Sequence, residues 1–269
     1  MSVRRRSFLL ALFLAPSLHA APAAWQAELS SATPGAFVKL PPTILDYQVS
    51  WNGAINAGTI RMEFAPPGAK KAGTYIVRSS AASHGAAAVL FPYQTNFWSE
   101  IVPSSLRPRY FHAVETDQKE TVTTTVRHFS SRVDSVEINK LHQTGKTKQT
   151  DRSFVFAPVF DIFSAMLLVR SQKLATGDQL AFVIHPFDTP YLLRVRVLSR
   201  EVHTGRNAIR LTLGLRKIDR DTLELKAYKK LKQDATLWLS DDADRVPIEL
   251  RAAAFIGDVR ATLTGHRKL

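Results

Sequence analysis

Leu45-Asp46-Tyr47-Gln48-Val49-Ser50-Trp51-Asn52-Gly53, continuing past Gly58 to Ile60-Arg61-Met62-Glu63-Phe64, is the stretch on which the fold turns. Leu45, Tyr47, Val49 and Trp51 alternate with Asp46, Gln48 and Ser50, and Ile60, Met62 and Phe64 resume the alternation beyond the glycines. A period of two puts the apolar set on one face of an extended chain, and Asn-Gly supplies the positive φ values of a tight turn. The stretch predicts a β-hairpin or the opening of a meander.

The same signal recurs outward in both directions. Strands are expected at Gly73–Ser80, Ala87–Phe91, Pro108–Thr116, Glu120–Phe129, Arg132–Asn139 and Lys148–Phe154. In the C-terminal half they are expected at Gln179–Phe187, Tyr191–Val202, Asn207–Leu215, Thr222–Ala227, Ala235–Ser240, Val246–Phe255 and Asp258–Thr264. Many strands without amphipathic helices between them predict a mainly β chain, a single antiparallel and strongly curved sheet of half-barrel type. One segment departs from this pattern. Ala157–Lys173 (APVFDIFSAMLLVRSQK) carries apolar or small side chains on almost every face of a helix, with Asp161 placed to cap its start and Arg170 and Lys173 in its last turn. A helix that apolar is buried, either completing the core or lying as a lid over a hydrophobic pocket.

Composition sets the class. The chain has 269 residues, 45% of them hydrophobic, and no cysteine, which excludes disulfides, thiolate metal sites, a catalytic cysteine and a lipidated cysteine. Arg4, Arg5 and Arg6 precede the apolar run Phe8–Ala15 and the small-residue stretch Pro16–Ala23, the plan of a signal peptide cut after Ala20 or Ala23. Arg5-Arg6-Ser7-Phe8-Leu9 also resembles a twin-arginine export signal. No later stretch approaches the ~20 consecutive apolar residues of a membrane span, so residues 1–23 are expected to be removed and the rest exported, periplasmic and soluble. A loosely attached leader is expected over residues 24–40 and a single β-rich domain over residues 41–269. The formal charge of +13 falls by three with the signal peptide and still suits anionic partners such as a membrane surface.

Motifs of established chemistry are scarce. There is no G-x-S-x-G, S-x-x-K, H-E-x-x-H or G-x-G-x-x-G, and Gly145-Lys146-Thr147 lacks the earlier glycine of a phosphate loop because Lys140 stands there. A hydrolase assembled in space from Ser164, His185 or His203 is the least favoured reading, and no catalytic residue is assigned. His84, His112, His128, His142, His185, His203 and His266 show no ligand spacing, so no metal or other cofactor is expected. A tight turn at Asp117–Lys119 would set His112 opposite Thr124, and only a turn centred on Glu120 would set it opposite His128. Asp241, Asp242 and Asp244 precede Arg245, but the sixth and twelfth positions of a calcium loop would be Val246 and Ala252. A hairpin turn is expected instead, its aspartates bonding backbone amides and pairing with Arg245. Lys226, Lys229, Lys230 and Lys232, and Lys140, Lys146 and Lys148, are interleaved only with Tyr228, too few rings for a stacking platform, so no nucleic-acid partner is expected.

Several blocks, in order, carry a family likeness. They are Leu45-x-Tyr47-x-Val49-x-Trp51-x-Gly53 with Gly58, Phe97–Phe111, Asp161–Arg170 with Leu174 and Gly177-Asp178, and Trp238–Pro247 with Gly257–Ala261. Over Leu45–Leu263 the chain resembles the bacterial family called domain of unknown function 3108. The resemblance implies an exported envelope protein with a fold similar to the half-barrel of lipoprotein carriers, which ferry acylated cargo, and it implies no catalytic residues. The expected function is therefore a non-enzymatic binding protein sheltering an acyl chain or other apolar ligand. The alternative is an assembly factor binding an envelope protein or glycan. Candidate pocket residues are Trp51, Phe91, Phe97, Trp98, Phe160, Phe163, Met166, Leu167 and Trp238, the same side chains that could equally fill a closed core.

Overall fold

The computed structural model describes residues 22–66, 68, 71–229, 231–254 and 257–269, the side chain of residue 254 excepted. The expected signal peptide, apart from its last two residues, lies outside the described residues. A short 3-10 turn at Ala24–Glu28 leads into the strands β1 (Thr43–Trp51), β2 (Ile55–Phe64) and β3 (Tyr75–Ser83). After helix α1 (Gly85–Leu90) follow β4 (Tyr93–Val102), β5 (Arg107–Asp117), β6 (Glu120–His128), β7 (Val133–Leu141) and β8 (Thr147–Phe154). Helix α2 (Ile162–Ser171) precedes β9 (Gln179–Ile184), β10 (Tyr191–His203), β11 (Arg206–Ile218), β12 (Leu225–Ala227), β13 (Ala235–Ser240), β14 (Pro247–Ala254) and β15 (Gly257–Lys268).

The strands form one antiparallel sheet. Its order runs β8-β7-β6-β5-β4-β3-β2-β1-β15-β14-β13-β11-β10-β9, with β12 paired on the side to β11. The hairpin predicted at the outset is present: Leu45 faces Met62 and Tyr47 faces Ile60, with Asn52 and Gly53 at φ 52° and 71° in the turn. The first and last strands pair along their length, from Thr43 opposite Lys268 to Trp51 opposite Val259. The chain thus runs as two meanders joined at β1–β15 and connected at their outer ends through α2.

That connection is short. Fourteen strands laid flat would span ~60 Å at the usual interstrand spacing. Yet Phe160, six residues beyond the end of β8, donates its amide to Val183 O on β9 and accepts from the amide of His185, and six residues reach only ~20 Å. Arg152 of β8 also pairs with Asp188, just past β9. The sheet therefore turns back on itself, with β8 and β9 left unpaired to each other.

Helix α2 is fixed at both ends. At its start the Asp161 carboxylate accepts from the Ser164 amide at 2.7 Å and from the Ser99 hydroxyl of β4, while Ser164 Oγ accepts from the Asp161 amide at 2.9 Å. This reciprocal box starts the helix at Ile162, after the expected cap at Asp161 and five residues into the apolar segment Ala157–Lys173. At its end Arg245 donates to the carbonyls of Arg170, Gln172 and Lys173. The buried guanidinium thereby satisfies acceptors that the helix leaves open.

Several expectations are corrected. Residues 87–91 do not form a strand; they belong to α1 and its end, because the alanine run after Gly85 favours a helix over the weak apolar signal of Val89, Leu90 and Phe91. Their place in the sheet is taken by β4, whose inward positions Thr95 and Ser99 mask its alternation. His112 faces Thr125, one residue from the expected Thr124, and bonds its hydroxyl through Nδ1 at 3.1 Å. The leader is tied down instead of loosely attached. Trp25 is buried and donates to Leu223 O, the Ser30 amide donates to Ala181 O, and the Gly35 and Phe37 amides donate to Ser171. Gly35 lies so near this helix end that a Cβ there would stand 2.3 Å from Ser171 O.

His185 is buried and the ring nitrogens of His128 are shielded from solvent; burial, with His185 nearby, pushes the His128 pKa down to about 3, and burial, with the charges of Arg220 and Arg152, pushes that of His185 down to about 3. Neither ring nitrogen of His128 has a hydrogen-bond partner among the described residues. The folded chain keeps both imidazoles neutral, whereas the unfolded chain protonates them below their ordinary value. Stability is therefore unaffected above pH ~6.5 and falls as the pH drops toward ~3, by about 2 kcal/mol per imidazole between pH 6.5 and 5. Urea unfolding at pH 7 and pH 5 checks this; His128→Leu should remove about half of the difference, and a flat profile would mean that the rings are solvated.

Candidate apolar binding site

The inward face of the sheet is divided into a filled half and an open half. Under β4 and β5, Phe97 and Phe111 meet Phe163 of α2 and Phe187, with ring centroids 5.9 to 6.3 Å apart. These rings close that half, as aromatic clusters do. On the other side α2 turns a stripe of Ile162, Ala165, Met166 and Val169 toward β1, β2, β9–β11 and β13–β15, the spacing of one helix face. Ile60 and Met62, Leu213 and Leu215, and Leu237 and Leu239 face it, each pair two residues apart and so on one side of its strand. Ala165, Ala235, Ala252 and Ala261 stand where longer side chains would fill the space. What remains is a cavity of about 430 Å³, within the ~300–1,000 Å³ range of ligand pockets.

Its polar groups are few. The Tyr47 hydroxyl is buried and donates to Pro247 O at 2.9 Å, and burial drives its pKa up, so it stays neutral. Among the described residues lining the cavity, Arg170 is the one charged side chain. Its Nη2 donates to Asp244 O at 2.7 Å, and burial holds its pKa below the usual arginine value.

The expected pocket residues are distributed over four environments. Of the nine, Met166 alone lines this cavity. Phe160, Phe163 and Leu167 are buried in the core, and Phe97 packs among the phenylalanines. Trp51 and Phe91 meet edge to face at 6.2 Å in a second apolar groove of about 300 Å³ under α1, which shares Ile60 with the main cavity. Trp98 and Trp238 lie on the sheet's other face, since the neighbours Phe97, Leu237 and Leu239 point inward. Arg78 covers Trp98, and Trp238 is stacked by His203 at 4.2 Å and flanked by Arg210 and Arg251. Trp238 is thereby covered by the protein's own side chains.

The overall shape has a solved counterpart. The crystal structure of a beta-barrel-like protein of domain of unknown function DUF1849 from Brucella abortus is similar at a TM-score of 0.55 and 10% sequence identity, over 86% of this chain and 99% of that one. No curated protein matches the chain. Residues 46–264 match the family described as protein of unknown function, DUF3108. The chain belongs to the DUF3108 family.

In this DUF3108 protein the aspartate-rich turn is structural in a way only half expected. Asp242 accepts from the amides of Asp244 and Arg245, both at 2.9 Å, and from Ser240 Oγ. Asp241 pairs with Arg200 and Asp244 with Lys268, while Arg245 leaves the cluster to cap α2. Ser164 Oγ is held in the capping box, and His203 bonds Glu249 on the outer face, so these side chains serve separate local structures. Lys226 pairs with Asp219 at 2.6 Å, and Lys230 lies outside the described residues.

Adjacent residues of α2 should therefore respond in opposite ways. Met166→Trp should fill the cavity, abolish uptake of an uncharged fluorescent apolar probe and leave stability within ~1 kcal/mol of the parent. Leu167→Ala should cost ~2–5 kcal/mol and leave probe uptake intact under folding conditions. Denaturant titration alongside probe fluorescence distinguishes the two; equal stability losses would place both residues in the core.

Proposed function

We propose that this DUF3108 protein is a non-enzymatic binding protein that shelters an acyl chain or a similar apolar group between α2 and the sheet, in lipid or lipoprotein handling after export to the periplasm. The observation that carries the reading is the cavity wall, apolar over nearly all its lining and kept open by alanines. Its driving force would be burial. Ten sheltered methylenes contribute ~8 kcal/mol before the cost of ordering, the scale of micromolar binding. A sorting signal in the N-terminal sequence supports export, and no described helix is long and apolar enough to cross a membrane.

A route to the cavity is also supported. The groove under α1 adjoins it through Ile60, and Val89, Leu90 and Phe91 beside that groove are exposed, Val89 at 81%. Such a patch suits contact with a lipid surface, and the basic excess suits an anionic one.

Native mass spectrometry of the protein prepared without detergent, followed by solvent extraction, tests the proposal. The expected result is a stoichiometric acylated species, or its uptake when lipid is added back. An apo mass with no uptake would overturn the carrier reading and favour an assembly factor that uses the exposed α1 residues to hold an envelope protein.

A further inference from the structure

Among the described basic side chains Arg170 is the one that lines the apolar cavity, its guanidinium also lying over the Phe64 ring at 5.9 Å. Arg245 is spent on three carbonyls at the end of α2, and Arg107 lies over the Phe160 ring at 5.1 Å. Arg170 lines the apolar cavity, yet no carboxylate lies within ion-pair distance of it among the described residues, and its buried Nε has no hydrogen-bond partner. The acidic groups nearest in charge are already engaged: Asp244 pairs with Lys268 at 2.6 Å, and Asp242 holds Ser240 and two turn amides. The facing phenols of Tyr47 and Tyr75 remain neutral and donate to Pro247 O and Pro41 O. The groups that touch the guanidinium, Phe64 and the Asp244 carbonyl, also line a crevice of about 10 Å³ beside Lys39 and His266, room for about one water. A buried cation without a counter-charge is costly. The open space beside it is the cavity.

We propose that the occupant is a single-chain amphiphile whose head is an anionic oxygen group, a fatty-acid carboxylate or a lysolipid phosphate, and that Arg170 binds that head while the chain lies along the alanine-lined cavity. The inference rests on the apolar-carrier reading and adds the head-group chemistry to it. Guanidinium is suited to either group because its N–H donors match paired oxygens.

The test compares palmitate, lysophosphatidate and hexadecanol on the wild-type protein and on Arg170→Met and Arg170→Lys, at a pH where palmitate is ionised. The wild type should bind at least one of the anionic ligands ~10–100-fold more tightly than the alcohol, the scale of a hydrogen bond to a charged group. Which anion is preferred distinguishes carboxylate from phosphate. Arg170→Met should lose the preference while keeping affinity for hexadecanol, which also reports that it is folded, and Arg170→Lys should keep part of it. Equal wild-type binding of all three ligands would overturn the anchor and leave the apolar carrier standing. Retention of the preference in Arg170→Met would do the same. No wild-type binding of any of them would overturn both. The wild-type comparison decides even if a variant fails to fold.

Discussion

Everything inside this sheet is arranged around a helix that cannot move. The polar ends of α2 are enclosed, and an enclosed helix end with open amides or carbonyls costs several unpaired backbone groups. Asp161 and Ser164 meet that demand at one end by bonding each other's backbone, with Ser99 attaching the cap to β4. Arg245 meets it at the other by reaching across from the aspartate-rich turn after β13. The two caps come from opposite arms of the meander. Fixing the helix therefore also fixes how far the two arms of the sheet can separate.

With the helix set, packing on its sides decides where space remains. Phe163 and Leu167 point into a core that large rings and leucines fill, and Ile162, Ala165, Met166 and Val169 point where the opposing strands offer leucines and alanines. Well-filled protein interiors leave few voids larger than a water molecule. An opening of about 430 Å³ along a rigid helix is therefore a property of side-chain choice, of Ala165, Ala235, Ala252 and Ala261 in particular. The same helix serves as core on one side and as wall on the other, which joins the two readings that its sequence had left open.

The sequence made the strands legible because alternation is a backbone property that survives in every half-buried strand. Fourteen of the fifteen strands among the described residues overlap segments expected from it, the exception being β4, where Thr95 and Ser99 occupy buried positions that an apolar alternation would have filled. The helix and its Asp161 cap were legible for the same local reason. The cavity wall was much less so. Choosing large aromatics selected residues that fill space, such as Phe160 and Phe163, whereas a cavity is marked by where large residues are missing. Strand parity carried an unused signal: with Leu237 and Leu239 inward, Trp238 must face out, and with Phe97 inward, so must Trp98. Neither the long-range cap from Arg245 nor the seat of Trp25 against Leu223 has a local signature, since each joins residues far apart in the chain.

Arg170 unites these threads, for its position follows from helix geometry while its environment follows from the cavity. It falls one turn beyond Met166, on the stripe that faces the open space, so a side chain there meets the interior whether or not it is apolar. A leucine would have satisfied the packing without desolvating a charge. The cation is held in place by the Asp244 carbonyl, and that bond ties α2 to the turn that Arg245 also joins to it. A dry wall screens charge poorly, so the field of one guanidinium extends farther along such a cavity than it would in water. Apolar burial is non-directional and sets only how strongly a chain is retained, whereas a single fixed charge near one end gives that chain an orientation. The division of labour between alanine-lined space and one buried arginine would thus separate affinity from polarity of binding.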